Sequence, residues 1–269
     1  MEYILDVRAL SMDFGGLRAL ENVDLCIRQG EIAALIGPNG AGKTTLFNCL
    51  TGIYQPTAGT IILYPPKTKS KQLNGLKINA IAKLGMARTF QNIRLFGGMT
   101  VLENVMVGRH CRSGAGLLGA IFRPPTTRNE EKEIVRKSYT ILEYMGLAQQ
   151  VNELARNLPY GAQRRLEIAR ALATDPLLLL LDEPAAGMNP QETNELDSLI
   201  SQLQKDFQLS ILLIEHDMKL VMNLAQNIFV LDYGKEIARG TPQEVRNHPA
   251  VIKAYLGEEE GPDAEIGQC

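Results

Sequence analysis

The chain has 269 residues with 28 basic and 30 acidic side chains, so its formal charge is −2. That near-balance argues against a nucleic-acid footprint, and no nucleic-acid partner is expected. Hydrophobic residues at 45% and charged residues at 22% are the usage of a soluble globular chain long enough for a buried core. The longest purely aliphatic run, Leu177 to Leu181, falls far short of the ~20 residues of a membrane-spanning helix. Met1-Glu2-Tyr3-Ile4-Leu5-Asp6 places acids where a secretory signal needs basic residues. Cys26, Cys49, Cys111 and Cys269 lie far apart without a CxxC pair, which suits a reducing compartment better than a zinc or disulfide scaffold. The expectation is a cytosolic protein, one that is able to dock on a membrane partner.

In chain order, Val23, Leu25 and Ile27 alternate with Asp24, Cys26 and Arg28, the period-two pattern of a half-buried strand. Gly30 turns the chain into Ile32-Ala33-Ala34-Leu35-Ile36, an apolar run that reads as a fully buried strand. A helix is predicted from Lys43, ending at Gly52. Residues 64 to 77 carry prolines and no periodicity and read as a basic surface loop. Thr127 and Glu130 form a predicted capping box for a helix running to Met145, with Gly146 at its end. The last third alternates strand and helix: Leu177–Leu181, Gln191–Phe207, Ile211–Ile214 and Met218–Ala225. Asn189-Pro190-Gln191-Glu192 and Thr241-Pro242-Gln243-Glu244 both read as capped helix starts. Buried strands separated by helices predict a parallel α/β sheet.

Gly37-Pro38-Asn39-Gly40-Ala41-Gly42-Lys43-Thr44 fits G-x-x-x-x-G-K-[ST] at every fixed position, directly after a buried strand and at the start of a helix. Glycines there let successive backbone N–H groups turn inward around phosphate oxygens, and the helix adds its positive end. Lys43 is expected to reach the β- and γ-phosphates and the Thr44 hydroxyl to hold Mg²⁺. Leu177 to Leu181 leads into Asp182-Glu183-Pro184, two carboxylates at a strand's carboxyl end, where open α/β sheets bind ligands. Asp182 is placed to hold Mg²⁺ and Glu183 to activate the attacking water. Ile211-Leu212-Leu213-Ile214-Glu215-His216-Asp217 repeats the arrangement, with His216 near the γ-phosphate.

These motifs together resemble the nucleotide-binding subunit of an ATP-binding-cassette (ABC) transporter over essentially the whole chain. The resemblance implies a P-loop NTPase (RecA-like) α/β core with an N-terminal antiparallel β part and an inserted α-helical subdomain. The core would span 1–91 and 175–257, the helical part 92–174, and a flexible tail 258–269. It implies ATP bound by Gly37 to Thr45, with Phe14 stacking on adenine, although Phe14 also reads as a core residue. Gln91, in Arg88-Thr89-Phe90-Gln91, matches the glutamine loop that touches metal and water and links to the membrane subunit. His216 matches the switch histidine, and Ala186-Gly187-Met188-Asn189 occupies the D-loop. Leu158-Pro159-Tyr160-Gly161-Ala162-Gln163 occupies the signature segment, which serves the ATP held by a second subunit.

Two departures from that pattern stand out. Pro159 replaces the signature serine and Tyr160 its first glycine, which removes a hydroxyl and an N–H and implies a weaker clamp in trans. Asn189 replaces the D-loop aspartate but remains a good helix N-cap.

The finer resemblance is to branched-chain amino-acid uptake ATPases, carried by Gly85 to Phe96, Glu183 to Pro190, Glu215 to Met222 and Val251 to Glu258. It implies a second ATPase subunit as heterodimer partner, transmembrane permease subunits and, indirectly, a solute-binding protein. It also implies a peripheral position on the cytoplasmic membrane face. Residues 92 to about 122 are expected to contact the permease, with apolar Gly114 to Phe122 either in that contact or tucked on its own domain. The alternatives are an ATPase of a urea or amide importer, one of a lipid or lipopolysaccharide exporter, and a non-transport ABC ATPase.

Overall fold

Two long strands, β1 (Tyr3–Phe14) and β2 (Leu17–Arg28), pair antiparallel across a turn at Gly15-Gly16. Val23, Leu25 and Ile27 are buried while Asp24 and Arg28 are exposed, as their alternation predicts. The computed structural model describes residues 2–66, 68–111 and 125–259, of which 125–128 and 256–259 are described by backbone alone. β4 (Ala58–Leu63) joins β1 and then β5 (Lys71–Gln72), so the first sheet runs β2-β1-β4-β5. β5 corrects the reading of 64–77 as irregular throughout. Lys71 and Gln72 pair with Leu63 and Ile62, and buried Leu73 donates its N–H to the Ile61 carbonyl at 2.8 Å. A two-residue strand is too short to show a period; Leu73 anchors it from below.

The second sheet combines β3 (Ile32–Ile36), β6 (Met86–Arg88), β7 (Leu178–Asp182), β8 (Ser210–Ile214), β9 (Asn227–Asp232) and β10 (Lys235–Gly240) in the order β10-β9-β3-β8-β7-β6. Its pairs are parallel except β10 with β9. Both faces are covered, which is why these strands read as continuous apolar runs. Ile32, Ala34, Ile36, Leu179 and Leu181 join the core beneath the helices. Ala33, Leu35, Leu178 and Leu180 join Val23, Leu25 and Phe47 on the side of the first sheet.

α1 (Lys43–Leu50) stops at Thr51, with Gly52 at φ +75°. α2 (Ile78–Lys83) precedes β6, and α3 (Val101–His110), α4 (Pro125–Tyr144) and α5 (Tyr160–Leu172) form the helical part. α4 is already under way at Pro125, so the expected Thr127–Glu130 cap lies inside the helix. α6 (Pro190–Asp206) and α8 (Pro242–Arg246) open on the predicted Asn189–Glu192 and Thr241–Glu244 capping boxes, with α7 (Met218–Leu224) between them. α9 (Pro249–Glu259) continues past residue 258, where the tail was expected to begin; residues 260–269 and the apolar stretch Gly114 to Phe122 lie outside the described residues. Among the described residues no helix is long and apolar enough to cross a membrane.

Candidate active site

The parallel strands deliver the predicted residues to one edge: β3 runs into the 37–42 loop, β7 ends at Asp182 and Glu183, β8 leads to Glu215 and His216, and β6 precedes Gln91. The loop's shape demands glycine. A Cβ at Gly37 (φ +149°) would stand 2.0 Å from the Leu231 carbonyl oxygen, and one at Gly42 (φ +99°) would stand 2.8 Å from that of Ala19. Lys43 is buried, and its Nζ donates to the carbonyls of Gly37 and Pro38 at 2.5 and 2.7 Å, so its ammonium lies across the loop. No side chain caps α1 and no acid sits in its first turn, whereas Thr100, Asn189, Asp217 and Thr241 cap α3, α6, α7 and α8. A helix start left without a side-chain cap, with positive charge beside it, suits a phosphate chain.

A cavity of about 550 Å³ brings together Phe14, residues 39–45, Gln91, Glu183 and His216. Phe14 is 41% exposed at its rim, edge-on to Tyr54 at 5.1 Å between centroids, so it is not a core residue. Gly37 and Pro38 lie behind the cavity and shape the loop through the Lys43 bonds.

Glu183 is held from two sides. Gln91 Nε2 donates to its Oε2 at 2.7 Å, and His216 Nε2 lies 2.9 Å from its Oε1. Its backbone is left-handed (φ +48°), and its N–H donates to the Ile214 carbonyl at 2.9 Å. Glu215 is buried beneath this pair and accepts the N–H of Ala185 at 2.8 Å and that of His216 at 3.2 Å. Burial pushes the Glu215 carboxyl up, against the pull of the backbone N–H groups of Ala185, His216 and Asp217.

Asp182 stands behind the cavity, 3% exposed, and accepts from Arg88 Nη2 at 2.7 Å. Arg88 also donates to Asn48 Oδ1 at 2.7 Å and lies over the Phe47 and Phe90 rings. Thr44, Gln91 and Asp182 offer a hydroxyl, an amide and a carboxylate, the hard oxygen donors that Mg²⁺ takes.

The signature segment lies elsewhere. Pro159 is the N-cap of α5 and makes no side-chain cap bond. Tyr160 donates its hydroxyl to the Ala186 carbonyl at 2.9 Å, and Gly161 abuts Glu192. Leu158 and Ala162 are buried, and Gln163 Nε2 donates to the Leu158 carbonyl at 2.8 Å. None of these six residues lines the cavity at Lys43.

Sequence reading missed what joins the two regions. Arg164 and Glu167, both fully buried, pair at 3.0 Å. Arg164 donates to the Phe90 and Gln91 carbonyls at 2.8 Å each, while Glu167 accepts the N–H groups of Phe90 and Arg94. Burial pushes the Glu167 carboxyl up, and the Arg94 N–H, Arg164 and the Phe90 N–H oppose it. The available signal was faint: Arg164 and Glu167 stand three residues apart on a helix that also carries Arg165 and Arg170.

The chain resembles known proteins along nearly its whole length. Residues 20–186 match the family model described as "ABC transporter", and residues 235–261 match "Branched-chain amino acid ATP-binding cassette transporter". The chain is 52% identical over 255 residues to the high-affinity branched-chain amino acid transport ATP-binding protein LivG of Salmonella typhimurium, covering 95% of this chain and 98% of that one. It is 48% identical to the corresponding protein BraF of Pseudomonas aeruginosa with the same coverage. A crystal structure of the ADP conformation of an ATP-binding cassette of an ABC transporter superposes with a TM-score of 0.82 at 31% identity, covering 96% of this chain and all of that one. The chain belongs to the ABC transporter family as an ATP-binding subunit, and its activity is ATP hydrolysis.

Proposed function

We propose that this ATPase powers an importer of branched-chain amino acids, working as half of a head-to-tail pair of ATP-binding subunits. The observation that carries the hydrolytic reading is the Glu183 carboxylate gripped between Gln91 and His216 at the mouth of the phosphate loop. The substrate class rests on the match of residues 235–261 and on the names of the LivG and BraF relatives. Phe14 stacks on adenine, Lys43 and the N–H groups of residues 40–45 hold the phosphates, and Glu183 takes a proton from the attacking water. His216 orients Glu183 and reaches toward the γ-phosphate. Thr44, Gln91 and Asp182 would hold Mg²⁺, which when bound would supply positive charge against the phosphates.

That none of the signature residues lines the Lys43 cavity supports their use on a partner's nucleotide. An apolar groove of about 590 Å³ beside Phe90, walled by Ile53, Ile78, Phe96 and Val107, suits a cytoplasmic helix of a permease. Membrane association then comes through that docking. The test is uptake of labelled leucine in cells lacking the chain, with copurification from detergent-solubilised membranes. Uptake is expected to return with the natural chain and not with Glu183→Gln, and a permease and a second ATPase subunit are expected to copurify. Leucine uptake unaffected by loss of the chain refutes the substrate class.

Pro159→Ser restores a hydroxyl and an N–H to the trans clamp. A hydrogen bond of ~1 kcal/mol predicts about a fivefold rise in ATP turnover and in nucleotide-driven dimerisation of the assembled transporter. Unchanged values for both would show that the clamp does not need the serine.

A further inference from the structure

The two groups that meet at Glu183 come from different strand ends, and the turn carrying Glu183 is strained. A non-glycine residue at φ +48° persists only where its surroundings over-determine it. Here the end of β8 does so twice: the Ile214 carbonyl accepts the Glu183 N–H, and the Glu215 side chain accepts the Ala185 N–H two residues on. The same Glu215 carboxylate accepts the N–H of His216. One buried side chain therefore ties the turn of the candidate base to the turn of its histidine partner. It reaches neither the cavity nor the phosphate loop.

We propose that Glu215 is a positioning residue for ATP hydrolysis, bonding the Glu183 turn and the His216 turn to each other so that their side chains stay in contact. This rests on Glu183 and His216 being the hydrolytic pair. Glutamine at 215 keeps the shape but offers one acceptor oxygen and an NH₂ group to backbone donors that glutamate meets with two oxygens. One of the two turns loses its acceptor and Glu183 can drift.

ATP hydrolysis is measured on the full chain in the complex with which it copurifies, with Glu183→Gln setting the background of any second ATPase. Glu215→Gln is expected to lower kcat about 10²-fold, the scale of a ~1 Å misplacement. The KM for ATP should stay within about twofold. Amide hydrogen exchange in residues 183–188 should rise about tenfold, while the strands β7 and β8 keep their protection. A general weakening of the fold would instead move KM and expose both strands, and that result overturns the proposal. So does a kcat within about twofold of the natural chain. Should Glu215→Gln yield no folded protein, Glu215→Asp, which withdraws the acceptors by one methylene, is read by the same measurements. Turnover undiminished by Glu183→Gln would refute the hydrolytic pair itself; turnover that falls to background there but is kept in the 215 variants refutes only this inference.

Discussion

Glu183→Gln is expected to lower ATP turnover by about 10²- to 10⁴-fold, the range supplied by a positioned general base. The amide keeps the side chain's volume and can still meet Gln91 and His216, but it cannot take a proton from water. The phosphate loop is untouched, because Lys43 and the start of α1 are ordered by bonds within the loop rather than by Glu183. Nucleotide affinity should therefore survive, and ATP should accumulate on a closed pair of subunits that cannot reset. Steady-state turnover and size-exclusion chromatography with ATP read the two halves of this expectation. Loss of nucleotide binding alongside turnover would assign Glu183 to holding the fold of the site instead.

Arg164→Ala is expected to be the most destabilising single change considered. Removing one partner of a buried ion pair leaves the other charge uncompensated, at about 3–5 kcal/mol. Here it strands Glu167 and also the carbonyls of Phe90 and Gln91. At roughly 2–4 °C per kcal/mol for a chain of this size, Tm should fall by about 10 °C. Arg164→Lys should recover little, because a single ammonium cannot span two carbonyls and a carboxylate as a planar fork does. Turnover should fall with stability, since Gln91 loses its backbone anchor. Thermal unfolding in the absence of nucleotide is the direct measurement. A change of only 1–2 °C would mean that Glu167 finds water or another partner.

The phosphate loop was legible because its chemistry is local. The glycines, lysine and threonine fall within one stretch from Gly37 to Thr44, and the turn between a buried strand and a helix leaves their backbone little choice. Asp182, Glu183 and His216 were legible for a related reason: each follows an apolar run, and parallel sheets gather strand ends at one edge. Capping boxes at Asn189 and Thr241 were readable from four residues each. Thr127 had the same pattern yet lies within α4, which is already helical at Pro125. Strand β5 escaped because two paired residues carry no period.

What the residues alone determined is the set of groups proposed to touch nucleotide and the parallel order of strands and helices that collects them. Tertiary structure decided how those groups are held: Glu183 between Gln91 and His216, Asp182 against Arg88, and the backbone at Phe90 and Gln91 in the grip of Arg164 and Glu167. The partners in these contacts stand up to 94 positions apart, so no local pattern records them. Backbone propensity and side-chain periodicity act over a few residues. A buried charge finds its counter-charge only when the whole core closes around it.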